Sequence, residues 1–392
     1  MGKKSTIIKI YPVGNGDTTL IKLKNGQTIL NDCKIRDGEI HPETGNHIFD
    51  VKTDLLKNVN NTGNKYELDV FILSHPDEDH CLNFHKHFFY NQKPEKYDKS
   101  SQEEELIFIK ELWVTSCLLN NASNDSAKEL KKEAERRLKL WKENDSSKND
   151  DGNRIRFFGY DHDDKFNNVP NSIPGEILTN NHISGCSDDY FEFFIHAPFK
   201  ESLIKSTAKE DKNSSSIVIQ FAFERSNDDF ICKYLTAGDA DHFQWERILE
   251  KSKKYSNMDR LEWDIFESPH HCSWSFFNNV PYENEENKSP KEYSLDILEQ
   301  GREDAYVIAS SRKVKSSKPN PPHQAAKDEY LEFVKNSHFL NTDTNFSEGN
   351  PKPIIFEINE SYFERTDEEI NINLEGASVL ASKSIVTGHY AC

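Results

Sequence analysis

Short runs of β-branched and aromatic residues recur along this chain and alternate with segments of helical period, and no other feature restricts the fold as tightly. Strands are predicted near Ile7 to Tyr11, Thr18 to Leu23, Thr28 to Asn31, Leu68 to Leu73, Glu111 to Thr115 and Ile155 to Phe158, then near Phe191 to His196, Ser216 to Phe223, Phe230 to Thr236, Trp263 to Glu267, Tyr306 to Ala309 and Ile354 to Ile358. The clearest helical pattern, Ser126 to Glu143, repeats Leu130, Ala134, Leu138 and Trp141 every three or four residues among Lys, Arg and Glu. A strand pattern that gives way to a helical one and returns needs sheets covered by helices, so a layered α/β architecture is expected. Polar stretches at Asn91 to Glu104, Asn144 to Asn153, Asp161 to Asn181 and Asn279 to Pro290 read as loops. The 392 residues then fit one domain, 1–392, with insertions near 85–155, 160–190 and 278–300.

Composition excludes several classes. No apolar run nears the roughly 18 residues of a membrane span, and Lys9 interrupts the N-terminal apolar segment before it reaches signal-peptide length. Seven cysteines without paired spacing point to free thiols and a reducing compartment, so a cytoplasmic protein without membrane contact is expected. Asp and Glu total 67 against 49 Lys and Arg, a net charge of −18. Such a chain does not coat long nucleic acid by bulk electrostatics, and any nucleic-acid activity must use local positive charge. The best local source is the loop carrying Arg312, Lys313, Lys315 and Lys318, just after the run Tyr306 to Ala309.

The residues able to do chemistry lie where apolar runs end. Leu68 to Leu73 stops at Ser74-His75-Pro76-Asp77-Glu78-Asp79-His80, where His75, Asp77, Asp79 and His80 are all potential ligands. Side chains at i and i+2 leaving a strand project to one side, so His75 and Asp77 can share one ion while Asp79 and His80 turn to a second. Two later runs end similarly, one in Gly238-Asp239 and the other in His270-His271. Strand ends converge at one edge of an open α/β layer. Asp239 is then placed to bridge two ions, and His270 or His271 to complete the second. Carboxylates are harder donors than imidazoles, which makes Mn²⁺ a competitor to Zn²⁺. Cys33, Cys81 and Cys272 each follow a site residue directly, but neighbours in sequence usually point elsewhere.

These residues, in this order, resemble the metallo-β-lactamase superfamily, and within it the soluble hydrolase domain of the bacterial competence protein ComEC and its stand-alone relatives. Val13-Gly14-Asn15-Gly16-Asp17 followed by Thr28 to Asp32 is similar to that branch's opening, and His75-x-Asp77-x-Asp79-His80 resembles its metal loop. His196-Ala197-Pro198, Asn213 with Ser216, Leu235 to Asp239, His270-His271-Cys272-Ser273, His323 and Thr342-Asp343 follow in the same order as in that branch. The matches span about Ile7 to Ile358. The resemblance implies a four-layer αββα sandwich with a binuclear site at one edge. Two divalent ions, Zn²⁺ or Mn²⁺, would be held by His75, Asp77, Asp79, His80, Asp239, His270 and His271. Asp17 and Asp32 would be structural residues near the site, with Asn213, Ser216, Arg312, Lys313 and Lys315 on the substrate side. The chain departs from the superfamily pattern where Asp77 replaces a histidine, where Asn213 to Ser216 replace a histidine motif, where Cys272 replaces a glycine, and where Pro321-Pro322-His323 replaces Gly-His-Pro.

The activity that follows is phosphodiester cleavage of a nucleic acid or nucleotide. Two such cations would supply an acidified water, its pKa lowered from 15.7 towards about 7, as the hydroxide for attack on phosphorus. Asp79 and Asp239 belong to the catalytic set, and His323 would protonate the leaving group or bind a phosphate oxygen. Two rival readings use the same residues. One is hydrolysis of a lactone or small cyclic phosphodiester; the other is a non-catalytic interaction subunit with a vestigial metal site, whose insertions and Ser126 to Glu143 helix meet a protein partner.

Overall fold

The computed structural model describes residues 5–42, 45–159, 166, 168–179, 182–183, 190–207, 213–226, 229–283, 289–316, 318, 320–347 and 349–366. Among them, eleven strands form one mixed sheet and seven form a second. The first runs in the order Phe363–Thr366, Ile354–Ile358, Thr6–Ile10, Thr19–Lys22, Thr28–Asn31, Lys65–Ile72, Ile107–Thr115, Arg154–Phe158 and Asn171–Ser172. Along this path it is antiparallel as far as Thr28–Asn31 and parallel beyond; the other two strands lie off it, Asn60–Thr62 antiparallel to Lys65–Ile72 and Phe88–Phe89 parallel to Ile107–Thr115. The second runs Ile177–Thr179, Phe191–Ala197, Val218–Ser226, Asp229–Leu235, Trp263–Glu267, Gly301–Ala309 and Phe339–Asn341, antiparallel up to Asp229–Leu235 and parallel beyond.

Period-two alternation sorts the apolar residues between faces. Ile8, Ile10, Val70 and Ile72 of the first sheet meet Phe193, Ile195, Ile219, Phe221, Ile265 and Ile308 of the second in one buried cluster. Their sequence neighbours turn the other way. Phe71, Leu112 and Val114 pack with Leu55, Leu130, Ala134 and Leu138 from the helices Val51–Asn58 and Asp125–Lys142. Leu235, Phe266, Val307 and Ala309 pack with Trp245, Ile248, Ile297 and Tyr330 from the helices His242–Tyr255, Glu292–Leu298 and Gln324–Leu331. Strands buried on both faces explain why these runs are continuously apolar in the sequence.

Each predicted strand is present, with ends moved by a few residues. The short strands Asn60–Thr62, Phe88–Phe89 and Phe339–Asn341 carry too few residues to show a period, Phe363–Thr366 has no apolar run, and the sequence reading passes over them. Three stretches read as loops hold structure: Asn91 to Glu104 contains the helix Lys99–Glu103, capped by the Asp98 side chain on Ser101 N; Asn144 to Asn153 contains the short 3-10 helix Ser146–Asn149, capped by Asp145 on Ser147 N; and Asp161 to Asn181 contains Asn171–Ser172 and Ile177–Thr179. The rest of the expected 160–190 insertion lies largely outside the described residues. The segment 85–155 contributes Ile107–Thr115 and Arg154–Phe158 to the first sheet. Among the described residues, no helix is long and apolar enough to cross a membrane.

Candidate metal centre

Parallel pairing puts the C-terminal ends of Thr28–Asn31 and Lys65–Ile72 at one edge of the first sheet, and those of Asp229–Leu235, Trp263–Glu267 and Gly301–Ala309 at one edge of the second. Loops leaving these ends carry Asp32, His75, Asp239, His270 and Ser310. Backbone hydrogen bonds stitch the loops together: Cys33 N to His80 O at 2.9 Å, Ile217 N to Ser74 O at 3.1 Å and His270 N to Gly238 O at 3.0 Å. Ser310 Oγ donates to Gly16 O at 2.7 Å. Gly16 is required here, because a Cβ would sit 2.6 Å from the Asp79 carbonyl oxygen. Asp32, His270, His271 and Cys272 hold φ of 57°, 50°, 56° and 66°, a left-handed conformation costing roughly 1–3 kcal/mol per non-glycine residue. The inter-loop bonds hold that strain at the site.

The two oxygens of Asp239 face different neighbours. Oδ1 lies 3.1 Å from His80 Nε2 and 3.3 Å from His271 Nε2, which is itself 3.3 Å from Asp79 Oδ2. Oδ2 lies 3.5 Å from His75 Nε2 and 3.6 Å from His270 Nε2, and His75 Nε2 is 3.7 Å from Asp77 Oδ2. Behind these rings stand further polar groups. His80 Nδ1 donates to Asp32 Oδ2 at 2.8 Å, and His271 Nδ1 faces Asp17 Oδ1 at 3.3 Å. Ser74 Oγ donates to Asp32 Oδ2 at 2.6 Å and lies 3.1 Å from His75 Nδ1. His80, His271, Asp239 and Asp17 bring one ligand atom each within 4.8 Å of one another, and this buried cluster could hold a metal ion. The fit has a second support. His75 Nε2 and both His271 nitrogens are buried without a hydrogen-bond partner, and an ion about 2.1 Å from each donor spaces neighbouring donors by about 3–3.5 Å. Asp77, Asp79 and His270 side chains are 30, 35 and 27% exposed, whereas those of His75, His80, His271 and Asp239 are at most 4% exposed, so the first three form the mouth.

The cluster's titration reflects its crowding. Burial would lower His271, but the Asp239 and Asp17 carboxylates outweigh it and hold the imidazolium up to about 10. His80 is likewise raised well above its ordinary value, against burial, by Asp239 and Asp32. Burial would raise Asp239, yet the His270, His271, His80 and His75 rings hold it well below the usual carboxylate range. Asp79 also falls below that range, with His271 and His80 outweighing burial. The two histidines therefore contribute stability that is complete below 6.5 and lost as pH rises through their folded values, about 10 for His271. The two carboxylates contribute stability present above 3.8 and lost as pH falls further. In metal-free protein the cluster stabilises most between pH 3.8 and 6.5. Calorimetric Tm of metal-free protein should decline from pH 6.5 towards 10 more steeply in the native chain than in His271→Gln; equal slopes would remove the imidazolium from this account.

The remaining site candidates fall in different places. Ser216, expected on the substrate side, is fully buried, and its Oγ accepts the Asp239 N–H at 3.2 Å. It therefore positions Asp239. Asn213, half-buried, lies in the short turn Asn213–Ser215, and its carbonyl accepts the Ser216 N–H at 3.0 Å. His323 is buried, with its ring against Tyr282 and Trp274 and neither ring nitrogen hydrogen-bonded; its backbone N–H donates to Cys272 O at 2.9 Å. Arg312, Lys313 and Lys315 line a cavity of about 650 Å³. Burial pushes the Cys81 and Cys272 thiols up to about 12 and Cys33 well above 9.0, so none supplies a thiolate at neutral pH.

Three residues near the cluster escape the sequence reading. Ser74 links His75 to Asp32. Glu267 accepts from Tyr234 Oη at 2.7 Å, and its pKa is pushed up to about 8 by burial and then by Asp17. Lys34 donates to Asn15 O; burial lowers its ammonium to about 8, with Asp79 and Asp17 opposing and Arg36 and Arg312 reinforcing the shift. Ser74 opens the Ser74 to His80 segment and Glu267 ends the strand before His270-His271, whereas Lys34 sits in no motif. A scan of protein-family models finds no match to this chain, and no curated protein matches it.

Proposed function

We propose that this chain is a metal-dependent phosphodiesterase, a nuclease of the metallo-β-lactamase class related to the hydrolase domain of ComEC. The observation that carries the reading is the division of Asp239: Oδ1 towards His80 and His271, Oδ2 towards His75 and His270. It supports two ion positions, one among Asp79, His80, His271 and Asp239, the other among His75, Asp77, His270 and Asp239. The succession of three apolar clusters, with helices outside two facing sheets, supports a four-layer αββα arrangement. The exchange of an imidazole for the Asp77 carboxylate favours Mn²⁺ alongside Zn²⁺. When bound, such ions supply Lewis-acid polarisation of the ester and an acidified water.

The chain's own residues supply the orientation. Asp32 takes the His80 Nδ1 proton in a 2.8 Å hydrogen bond, which leaves Nε2 turned to Asp239. Asp17 occupies the corresponding place behind His271. Partners of this kind fix a ligand's tautomer, and losing one typically costs about 10–100-fold in metal affinity or activity. Ser74 joins the His75 and His80 supports into one network, so the two halves of the site are held in register. Asp77, Asp79 and His270 at the mouth leave a phosphodiester one open approach. The free, buried thiols among the described cysteines agree with a reducing, cytoplasmic setting.

The test is Asp79→Ala and His80→Ala, each assayed on bis-p-nitrophenyl phosphate with Mn²⁺ or Zn²⁺. A loss greater than about a hundredfold is expected, larger than for an outer substitution, with unchanged far-ultraviolet circular dichroism. Full activity in both variants would remove the reading.

A further inference from the structure

The cavity beside the metal centre gathers positive charge that a chain of net charge −18 would otherwise disperse. Arg36, Arg312, Lys313, Lys315 and Lys318 line it; among the described lining residues the carboxylate is that of Asp343, which accepts the Lys313 backbone N–H at 3.1 Å. Arg36 comes from the loop after Thr28–Asn31 and the other four from the loop after Gly301–Ala309, so distant segments contribute to one surface. Asn15 joins them. Its Oδ1 accepts the Arg312 N–H at 2.9 Å, its Nδ2 donates to Pro321 O at 3.0 Å, and a Cβ on the adjacent Gly14 would lie 3.4 Å from the Arg36 guanidinium. The same loop continues through Gly16 to Asp17, whose Oδ1 lies 3.3 Å from His271 Nδ1. Lys34 stands between: its Nζ donates to Asn15 O, and a Cβ on Gly16 would lie 2.9 Å from that Nζ and 2.6 Å from the Asp79 carbonyl oxygen. Positive charge thus runs from the cluster into the cavity.

We propose that this cavity binds a phosphate of a single-stranded polynucleotide other than the phosphate being cleaved, which makes a strand, and not a minimal diester, the substrate. The proposal rests on the hydrolase reading above. Guanidinium groups recognise phosphate oxygens bidentately. Grooves for single strands characteristically follow the backbone with such charges. A volume of about 650 Å³ lies within the range of pockets that enclose small ligands and can admit one unstacked nucleotide unit.

The experiment compares Arg36→Gln with the native chain on a short labelled single strand, as DNA and as RNA, and on bis-p-nitrophenyl phosphate, which has no second phosphate. The ratio of kcat/KM for the strand to that for the small diester should fall about tenfold, the effect of losing one charge-assisted contact. The slope of log kcat/KM against log salt should become shallower by about 0.7. Lys315→Gln, on the exposed rim, should act in the same direction and guards against misfolding of the first variant. An unchanged ratio in both variants overturns the proposal. If the native chain cleaves neither substrate, the hydrolase reading fails, and fluorescence anisotropy of the labelled strand decides the cavity separately: affinity about tenfold weaker in Arg36→Gln sustains it, and equal affinity overturns it.

Discussion

Asp239→Asn should abolish metal binding and hydrolysis together while the fold persists. The carboxylate offers acceptor oxygens to His80 and His271 on one side and to His75 and His270 on the other. An amide of the same shape offers one oxygen and one NH₂ donor. Whichever way it turns, one set of imidazoles faces a donor, and the negative charge shared by both sets is gone. The rings can then deprotonate instead of remaining as buried cations, so the protein does not have to unfold. A fall in kcat/KM of at least about 10³ is expected, the scale seen when one member of a cooperating catalytic group is removed. Native-like rate and metal content in the purified variant would show that Asp239 bridges nothing.

The second large effect concerns stability. Arg137 is fully buried in the helix Asp125–Lys142, with Nε donating to Glu133 Oε1 at 2.6 Å, Nη1 to Arg154 O at 2.8 Å and Nη2 to Ile109 O at 3.0 Å. Glu133 also accepts from Arg136 Nε at 2.9 Å and from Asn91 N at 2.8 Å. Glu133→Ala strands the guanidinium without its counter-charge in the interior. A loss of about 3–5 kcal/mol follows from breaking a buried pair at one end. Replacing both partners by apolar residues of similar volume, Glu133→Leu with Arg137→Met, should recover much of it. Urea unfolding measures both, and a loss below about 1 kcal/mol in the single variant would mean that water reaches the guanidinium. The geometry bears on a rival reading: the helix spends Leu130, Ala134 and Leu138 on its own sheet, which leaves that stripe unavailable to a partner.

Much of the framework was legible because its strands are long enough to show an apolar period and end abruptly in ligand-type residues. His75, Asp77, Asp79 and His80 are close in sequence, and a strand followed by a tight turn leaves them few places to go. Whether His270 or His271 faces the cluster was open from sequence. Both do, because consecutive left-handed residues turn the two rings towards different oxygens of Asp239. That backbone state leaves no mark on residue type, least of all with a cysteine at φ 66°. The hold of Ser216 Oγ on the Asp239 N–H is likewise invisible in residue type, because it joins loops that are far apart in the chain. Arg36, Lys34 and Ser74 act through contacts between loops far apart in the chain, which no local pattern encodes. Asn60–Thr62, Phe88–Phe89 and Phe339–Asn341 were missed because two or three residues carry no measurable period, and Phe363–Thr366 because Glu364 and Arg365 leave it no apolar run.

The central claim is a site for two cations divided by one carboxylate. Its most direct test is the number of metal ions per chain, by elemental analysis after equilibration with Mn²⁺ or Zn²⁺ and removal of unbound metal. Two per native chain is the required result; a chain that emerges with none, or saturates at one, contradicts it.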